Sequence, residues 1–566
     1  MIMMNPIDET KQLLSGLVAE ACRAAIAAGE LPDVPFDAPA AETPKDAQNG
    51  DLSSTFALAM SKAMRMPPRK IAETVVARMD LSGTVFDKVW IAGPGFINVT
   101  FGPGWYASVL GEIEQAGMQF GRLDIGRGKR VMVEFVSANP TGPMHLGNAR
   151  GGVLGDTLAS VFERAGYDVW REFYVNDAGN QVALFGDSLL CRLKQHILGE
   201  DAVEFPEDGY HGDDIRALAA AFAEEKGQNV LETPEDELKA ALVAFGLERN
   251  IARMQADLAR YNVKYDMWFR ESTLHESGAV AETIEILRQA GALYEKEGAI
   301  WFRATDYGCD KDEVMVKQNG FYTYYAVDIA YHRNKFLVRG FDEVVDALGA
   351  DHHGHTIRFQ ASMKAIGVKP GSLRFMLFQL VNLMRNGEAV RMSKRTGKAI
   401  TLSNLLDEIS VDAARFFFNY RQPDTHLDFD LDLAVKEENE NPVFYIQYAH
   451  ARICSLIRML AGEGISVPAA GEIDAAKFET AEEKALIRRL AMLPEEIRFA
   501  ARDLDPTRLA RYAVDLAAAF HTFYNACRIR GEEKDVMLAR LKLADCTRET
   551  IANVLGMMKV NAPDHM

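Results

Sequence analysis

Apolar residues recur at helical spacing through Leu13, Leu14, Leu17, Val18, Ala21, Cys22, Ala25 and Ile26, and Gly29 ends the pattern, which predicts an amphipathic helix over 13–26. Residues 31–50, rich in Pro, Ala and Asp, read as a loop, and helical periodicity returns over 52–79. An apolar run at 89–101, broken by Gly93-Pro94-Gly95, predicts strand, and the glycine-rich 101–128 region closes a small α+β unit. From Arg130 the pattern changes. Val131-Met132-Val133-Glu134-Phe135-Val136 is a short β-rich run, followed by a turn and a helix that puts Val153, Leu154, Leu158, Val161 and Phe162 on one face and stops at Gly166. A strand over 169–175 completes a strand–helix–strand unit, which implies a parallel sheet. Further strand-like runs lie at 299–303, 313–317, 321–327 and 375–383, and 187–290 between the two sets reads as a mostly helical, polar insertion. Beyond about 430 only helical periodicity remains, as in Leu509, Tyr512, Leu516, Phe520, Phe523 and Cys527, interleaved with Arg488, Arg489, Arg498, Arg502, Arg508, Arg511, Arg528 and Arg530.

The expected architecture is α/β: an N-terminal α+β domain over 1–120, a parallel-sheet domain over 121–430 carrying the helical insertion, and an all-α bundle over 431–566. The 566 residues suffice for three or four domains of about 150 residues each, which excludes a single small binding module. Hydrophobic residues at 48%, charged residues at 25% and a mean hydropathy of −0.12 exclude disorder along the whole chain. Lys and Arg number 63 against 81 Asp and Glu, a formal charge of −18, so any contact with nucleic acid has to use a local basic patch. Cys22, Cys191, Cys309, Cys454, Cys527 and Cys546 stand far apart with no Cys-x-x-Cys pair and read as reduced, intracellular thiols. There is no signal-peptide core and no run of about eighteen apolar residues. A cytoplasmic protein without a membrane partner is expected.

Two segments carry candidate chemistry. In Glu134-Phe-Val-Ser-Ala-Asn-Pro-Thr-Gly-Pro-Met-His-Leu-Gly-Asn-Ala-Arg150 a strand runs into a Pro/Gly loop that ends at a helix N-terminus bearing His145 and Asn148. Helix N-termini present unpaired N–H groups and the positive dipole end, which suits phosphate, and Gly147 lets the backbone approach a nucleotide closely. Taken alone, this segment also fits a surface turn with one solvated histidine. The second segment, Gly387-Glu-Ala-Val-Arg-Met-Ser-Lys-Arg-Thr-Gly-Lys398, is a glycine-flanked basic loop centred on Met392, Ser393 and Lys394. It could neutralise a departing pyrophosphate, or be a solvated charge run.

Paired, the H-x-G-N turn and the M-S-K loop resemble the two signature motifs of class I aminoacyl-tRNA synthetases, and the chain is similar to bacterial-type arginyl-tRNA synthetases through nearly its whole length. The matching stretches are 134–155, Tyr174-Val-Asn-Asp-Ala-Gly-Asn180, 322–332, Gly349-Ala-Asp-His-His-Gly-His355, 391–397 and Tyr445-Ile-Gln-Tyr-Ala-His-Ala-Arg452, with Gly50-Asp-Leu-Ser-Ser54 and Gly93-Pro-Gly-Phe-Ile-Asn98 in the N-terminal unit. The resemblance implies a Rossmann-like class I catalytic domain, an N-terminal domain that contacts the tRNA elbow, and an anticodon-binding bundle. It also implies ATP-dependent ligation of L-arginine to tRNA(Arg) through an arginyl-adenylate, activated only with tRNA bound, in a monomer.

For the site, the resemblance implies His145, Asn148 and Lys394 as catalytic groups and Pro140, Gly147, Met392 and Ser393 as further ATP contacts. Ser137, Asn139, Glu271, Tyr324, Asp328 and His352 would bind arginine; a carboxylate accepting two parallel guanidinium bonds beneath an aromatic ring suits that side chain. Asn98, Tyr448, Arg452, Tyr524 and Met566 would contact tRNA. Mg²⁺ is expected with ATP but without a dedicated protein site, and His352, His353 and His355 lack the spacing of a zinc site. Two departures stand out: Asn148 replaces the family's second histidine and cannot become cationic, and Arg391 and Arg395 occupy the outer positions of the lysine motif. A small-molecule nucleotidylyltransferase sharing the H-x-G-x turn and a non-catalytic tRNA-binding relative remain the alternatives.

Overall fold

The structure, a computed structural model, describes residues 5–44, 46–390 and 400–566. The chain opens with α1 (Pro6–Ala27), whose N-cap Asn5 accepts from the Ile7 and Asp8 amides. Next come β1 (Ala41–Glu42), β2 (Leu52–Ser54), α2 (Phe56–Met64), α3 (Pro68–Val76), β3 (Phe86–Ala92), β4 (Phe96–Phe101) and α4 (Pro103–Ala116). The four strands form an antiparallel sheet in the order β1-β2-β4-β3. Two expectations change here. The 52–79 stretch starts as a strand and breaks before Pro68, because a proline cannot continue a helix from its predecessor. The 101–128 region contains α4, a helix opened by Pro103 at its first position.

The central sheet is parallel and five-stranded, ordered β12-β11-β5-β6-β7, with β5 (Arg130–Glu134), β6 (Asp168–Val175), β7 (Met267–Arg270), β11 (Glu343–Gly349) and β12 (Leu373–Phe378). Helix α5 (Leu146–Arg164) crosses from β5 to β6. It is buried nearly all round because glycines let its neighbours touch it: a Cβ at Gly155 would lie 2.3 Å from the Phe135 ring, and one at Gly151 2.6 Å from Phe378. Helices α6 (Asn180–Leu198), α7 (Asp213–Lys226) and α8 (Glu235–Arg260) follow and enclose a small core of their own around Phe185, Leu189, Phe222 and Leu242. The chain then rejoins the sheet at β7, which pairs with β6 in parallel. The expected 187–290 insertion therefore takes in a sheet strand; four residues are too few for periodicity to reveal it.

Beyond β7 lie α9 (Ser272–Glu276), α10 (Ala279–Gln289) and an antiparallel meander of β8 (Leu293–Lys296), β9 (Ala299–Phe302) and β10 (Glu313–Val316), which stands outside the parallel sheet. The run at 321–327, expected as strand, instead leads into α11 (Tyr324–Arg333), whose N-cap Thr323 accepts from the Ala326 amide. Helix α12 (His353–Ala365) links β11 to β12. The 375–383 run divides between β12 and β13 (Val381–Arg385), which belongs to a separate small sheet with β14 (Glu388–Ala389) and β15 (Leu427–Asp430).

Helices α13 (Leu402–Glu408), α14 (Val411–Tyr420) and α15 (Leu431–Ala434) lead into the bundle of α16 (Pro442–Gly462), α17 (Ala481–Ala491), α18 (Leu493–Asp503), α19 (Thr507–Ala526) and α20 (Lys534–Met557). Fully buried Asp156 of α5 ties bundle to sheet domain: it receives Arg415 of α14 at 2.6 Å and Lys559, just past α20, at 2.6 Å, with Arg171 at 3.5 Å. All six cysteines are free. Among the described residues no helix is long and apolar enough to cross a membrane.

Candidate active site

The C-terminal ends of β5, β6 and β11 open into a cleft of about 1700 Å³, also walled by α5, α11, α12 and the α6–α8 insertion. Ligands of parallel α/β sheets bind at this end of the strands. His145 is the N-cap of α5 in extended conformation (φ −92°, ψ 169°), with its side chain exposed in the cleft. Its backbone N–H donates to Asn148 Oδ1 at 3.0 Å. That bond engages the amide oxygen and leaves the Asn148 NH₂ as a donor, so this end of the cleft offers donors suited to an anion. Gly147 also lines the wall, and a Cβ there would meet nothing within 4 Å. Pro140, expected beside the nucleotide, is buried away from the cleft, and its carbonyl accepts from Asn250 Nδ2 at 2.9 Å.

Met392, Ser393 and Lys394 lie outside the described residues. The chain after that segment is joined to the H-x-G-N turn: Thr401 forms a β-bridge with His145, and the Leu402 amide donates to the Met144 carbonyl at 3.0 Å. The described chain that resumes at Ile400 thus meets the H-x-G-N turn through Thr401 at one cleft mouth.

Ser137, Asn139, Tyr324, Asp328 and His352 all line the same cleft. The Ser137 hydroxyl donates to Glu134 Oε1 at 2.8 Å and accepts from the Tyr174 amide at 3.1 Å, leaving one lone pair for a ligand. Asn139 Nδ2 donates to Gln181 of the insertion. Tyr324 heads α11 and is 66% exposed, its ring centre 6.0 Å from that of His355. Asp328 lies one turn further along α11, its carboxylate facing the cleft with no hydrogen bond or ion pair among the described residues. Burial raises its pKa well above 3.8, and the charges of Glu271 and Glu134 raise it further. Glu271 stands behind the wall, accepting from Tyr174 Oη at 2.9 Å and from the Asn176 amide at 3.0 Å, with His275 Nε2 at 3.6 Å. A cleft carboxylate with no hydrogen bond or ion pair among the described residues, one helical turn from an exposed aromatic ring and with a second carboxylate behind, suits a planar cation.

In the bundle, Arg452 lies 4.1 Å from the Tyr524 ring centre and 5.8 Å from that of Tyr448, which joins three expected tRNA contacts across α16 and α19. Met566 is 55% exposed at the end of a tail whose Pro563 carbonyl accepts from His450 of α16 at 3.0 Å. Asn98 does not belong with them. It sits inside the N-terminal sheet, paired in register with Ser53 and Trp90 and only 1% exposed, where no tRNA can touch its side chain.

Over its whole length and theirs, the chain is 51% identical to the arginine–tRNA ligase of Acetivibrio thermocellus and 50% identical to that of Ruminiclostridium cellulolyticum. The chain belongs to the arginyl-tRNA synthetase family. Residues 112–438 match the family model described as tRNA synthetases class I (R), catalytic domain; 12–101 match the arginyl tRNA synthetase N terminal domain, and 446–566 the DALR anticodon binding domain. Among solved structures, the arginyl-tRNA synthetase of Campylobacter jejuni superposes with a TM-score of 0.75 at 32% identity over 82% of this chain and all of that one. That of Thermus thermophilus, at 22% identity with a TM-score of 0.75 over 98% of this chain and all of that one, has the same fold.

Tyr174, which links Ser137 to Glu271, and the insertion's Tyr210, His211 and Arg253, which close the cleft, are not among the residues that the family resemblance suggested. Tyr174 could have been found from its motif, Tyr174-Val-Asn-Asp-Ala-Gly-Asn180 at the end of a strand; the insertion residues carry no such signal.

Proposed function

We propose that this cleft is where the enzyme makes arginyl-adenylate from ATP and L-arginine and hands the arginyl group to tRNA(Arg). One observation carries the reading: the Asp328 carboxylate, without a hydrogen bond or ion pair among the described residues, and the exposed Tyr324 ring share a cleft with the donor-lined N-terminus of α5. Tyr324 and Asp328 hold the guanidinium, backed by Glu271; Ser137, Asn139 and His352 hold the α-amino and carboxylate end. The arginine carboxylate attacks the α-phosphate in line and pyrophosphate departs. No protein nucleophile takes part, and the protein contributes alignment and charge stabilisation. His145, the Asn148 amide and the α5 N-terminus act on the phosphates from one side, and Lys394, with Met392 and Ser393, from the other. Mg²⁺ would arrive with the triphosphate and help neutralise its charge.

The domain divisions lie near 120 and 430. Tyr448, Arg452, Tyr524 and Met566 grip the tRNA, which the chain serves as a cytoplasmic monomer. Arginine-dependent pyrophosphate exchange with and without tRNA(Arg) tests the reading. Exchange that needs both arginine and tRNA supports it; tRNA-independent exchange with another acid indicates a nucleotidylyltransferase, and none at all a non-catalytic relative.

A further inference from the structure

Three buried carboxylates lie side by side across three neighbouring strands: Asp346 is in register with Glu134, and Glu134 with Glu172. None is more than 8% exposed. In-register residues on parallel strands share a face, and adjacent like charges there repel. Cations from one short segment compensate them. Asn334–Val338, a turn of π-helix after α11, brings in Lys335, whose Nζ lies 2.5 Å from Glu134 Oε2 and 2.8 Å from Asp346 Oδ1. Arg339, next in line, forks onto Glu172 at 2.8 and 2.5 Å, and His332 Nε2 lies 2.8 Å from the second Asp346 oxygen. Burial acts to deprotonate Lys335, but Asp346 and Glu134 outweigh it and hold the ammonium charged.

The other Glu134 oxygen receives the Ser137 hydroxyl at 2.8 Å. Between them the backbone is strained: Val136 has φ +71° and Ser137 φ +44°, a left-handed region that a β-branched residue avoids. Such a turn persists only where its surroundings fix it.

We propose that Lys335 is a positioning residue that fixes Glu134, which clamps Ser137 and holds the strained 136–137 turn, so that Ser137 and Asn139 meet arginine in productive geometry. The idea rests on the reading above that this turn contacts arginine.

Lys335→Met removes the cation, and Lys335→Met/Glu134→Gln also removes the carboxylate left unpaired, leaving Asp346 to His332. Both are assayed for melting temperature and for aminoacylation kinetics with respect to arginine, ATP and tRNA. The double variant is expected to melt like wild type yet lose on the order of a hundredfold in kcat/KM for arginine, as a misplacement of about 1 Å costs, with the KM for ATP and tRNA little changed. Recovery of arginine kcat/KM along with melting temperature, or a double variant that still does not fold, makes Lys335 structural and overturns the proposal. In a cycle with Ser137→Ala, Lys335→Met should add less than about threefold further loss, because the relay is already cut; full additivity overturns the clamp. Asn139→Ala tests the underlying reading separately. An unchanged arginine KM there removes both, whereas a raised KM beside additive Ser137 and Lys335 effects removes the clamp alone.

Discussion

Replacing Asp328 by asparagine keeps the shape of the cleft and deletes the charge assigned to the guanidinium. In the enzyme without substrate that carboxylate has no partner among the described residues, and burial, then Glu271 and Glu134, push its pKa well above 3.8. On the proposed function, arginine supplies the cation that Asp328 pairs with. Removing one member of a buried charge pair costs about 2–5 kcal/mol. Because Asp328 faces an open cleft, the lower part of that range applies, and at about 1.4 kcal/mol per tenfold the arginine KM should rise roughly 30- to 300-fold.

Stability should move the other way. A carboxyl whose folded pKa exceeds its unfolded one contributes stability that is full below the unfolded value and is lost as pH rises through the folded value. Asp328→Asn abolishes that loss, so at pH 8 the substrate-free variant should melt at or above wild type. Aminoacylation across arginine concentrations gives the first quantity, and melting with and without arginine in the presence of tRNA gives the second, since bound ligand raises the wild-type midpoint. An unchanged arginine KM, or a variant that melts well below wild type, would refute the assignment.

Four further outcomes are expected. His145→Ala and Lys394→Ala should each slow adenylate formation by about 10²–10³, the loss of one preorganised donor, with melting unchanged for exposed His145; wild-type rates in both would remove their roles. Asp156→Asn leaves buried Arg415 without its counter-charge and should cost about 3–5 kcal/mol in urea unfolding, and a loss within experimental error would show the pair to be dispensable. Arg452→Ala should weaken tRNA binding and lower the slope of log K against log salt by about 1, measured by filter binding at several salt concentrations. Glu112, whose pKa burial and then Glu9 raise to about 7, stabilises the fold while protonated; Glu112→Gln should erase the part of the melting-temperature decline that this group causes between about pH 4.5 and 7, visible in the difference between the two pH profiles.

Much of the fold was legible because long periodic segments announce themselves: the 13–26 pattern lies within α1 and runs almost to its end, and the arginine-laced helices after 430 form the bundle. Short elements were not. β7 is four residues long, and β11, Glu343-Val-Val-Asp-Ala-Leu-Gly349, holds an aspartate where a buried strand should be apolar, so its central place in the sheet was hidden. The 321–327 run looks like strand because aromatic and β-branched residues favour strands; the Thr323 cap and tertiary packing decide for helix. In the site, single-residue signals carried over from the family motif pointed to Tyr324 and Asp328, and both line the cleft. They failed at Asn98, where a motif residue serves the sheet interior, and at Lys335, whose partners lie on strands remote in sequence. Burial and long-range pairing are properties of the folded chain that spacing does not encode.

The strand order also has a consequence for synthesis. β5 acquires β6 within a few dozen residues, but its other neighbour, β11, begins only at Glu343. On a ribosome adding about 5–20 residues per second, one side of that central strand stays unpaired for roughly 10–40 s. An exposed strand edge invites wrong partners for as long as it stays bare. During that time the nascent chain carries, on a strand buried in the finished fold, an edge open to wrong pairing.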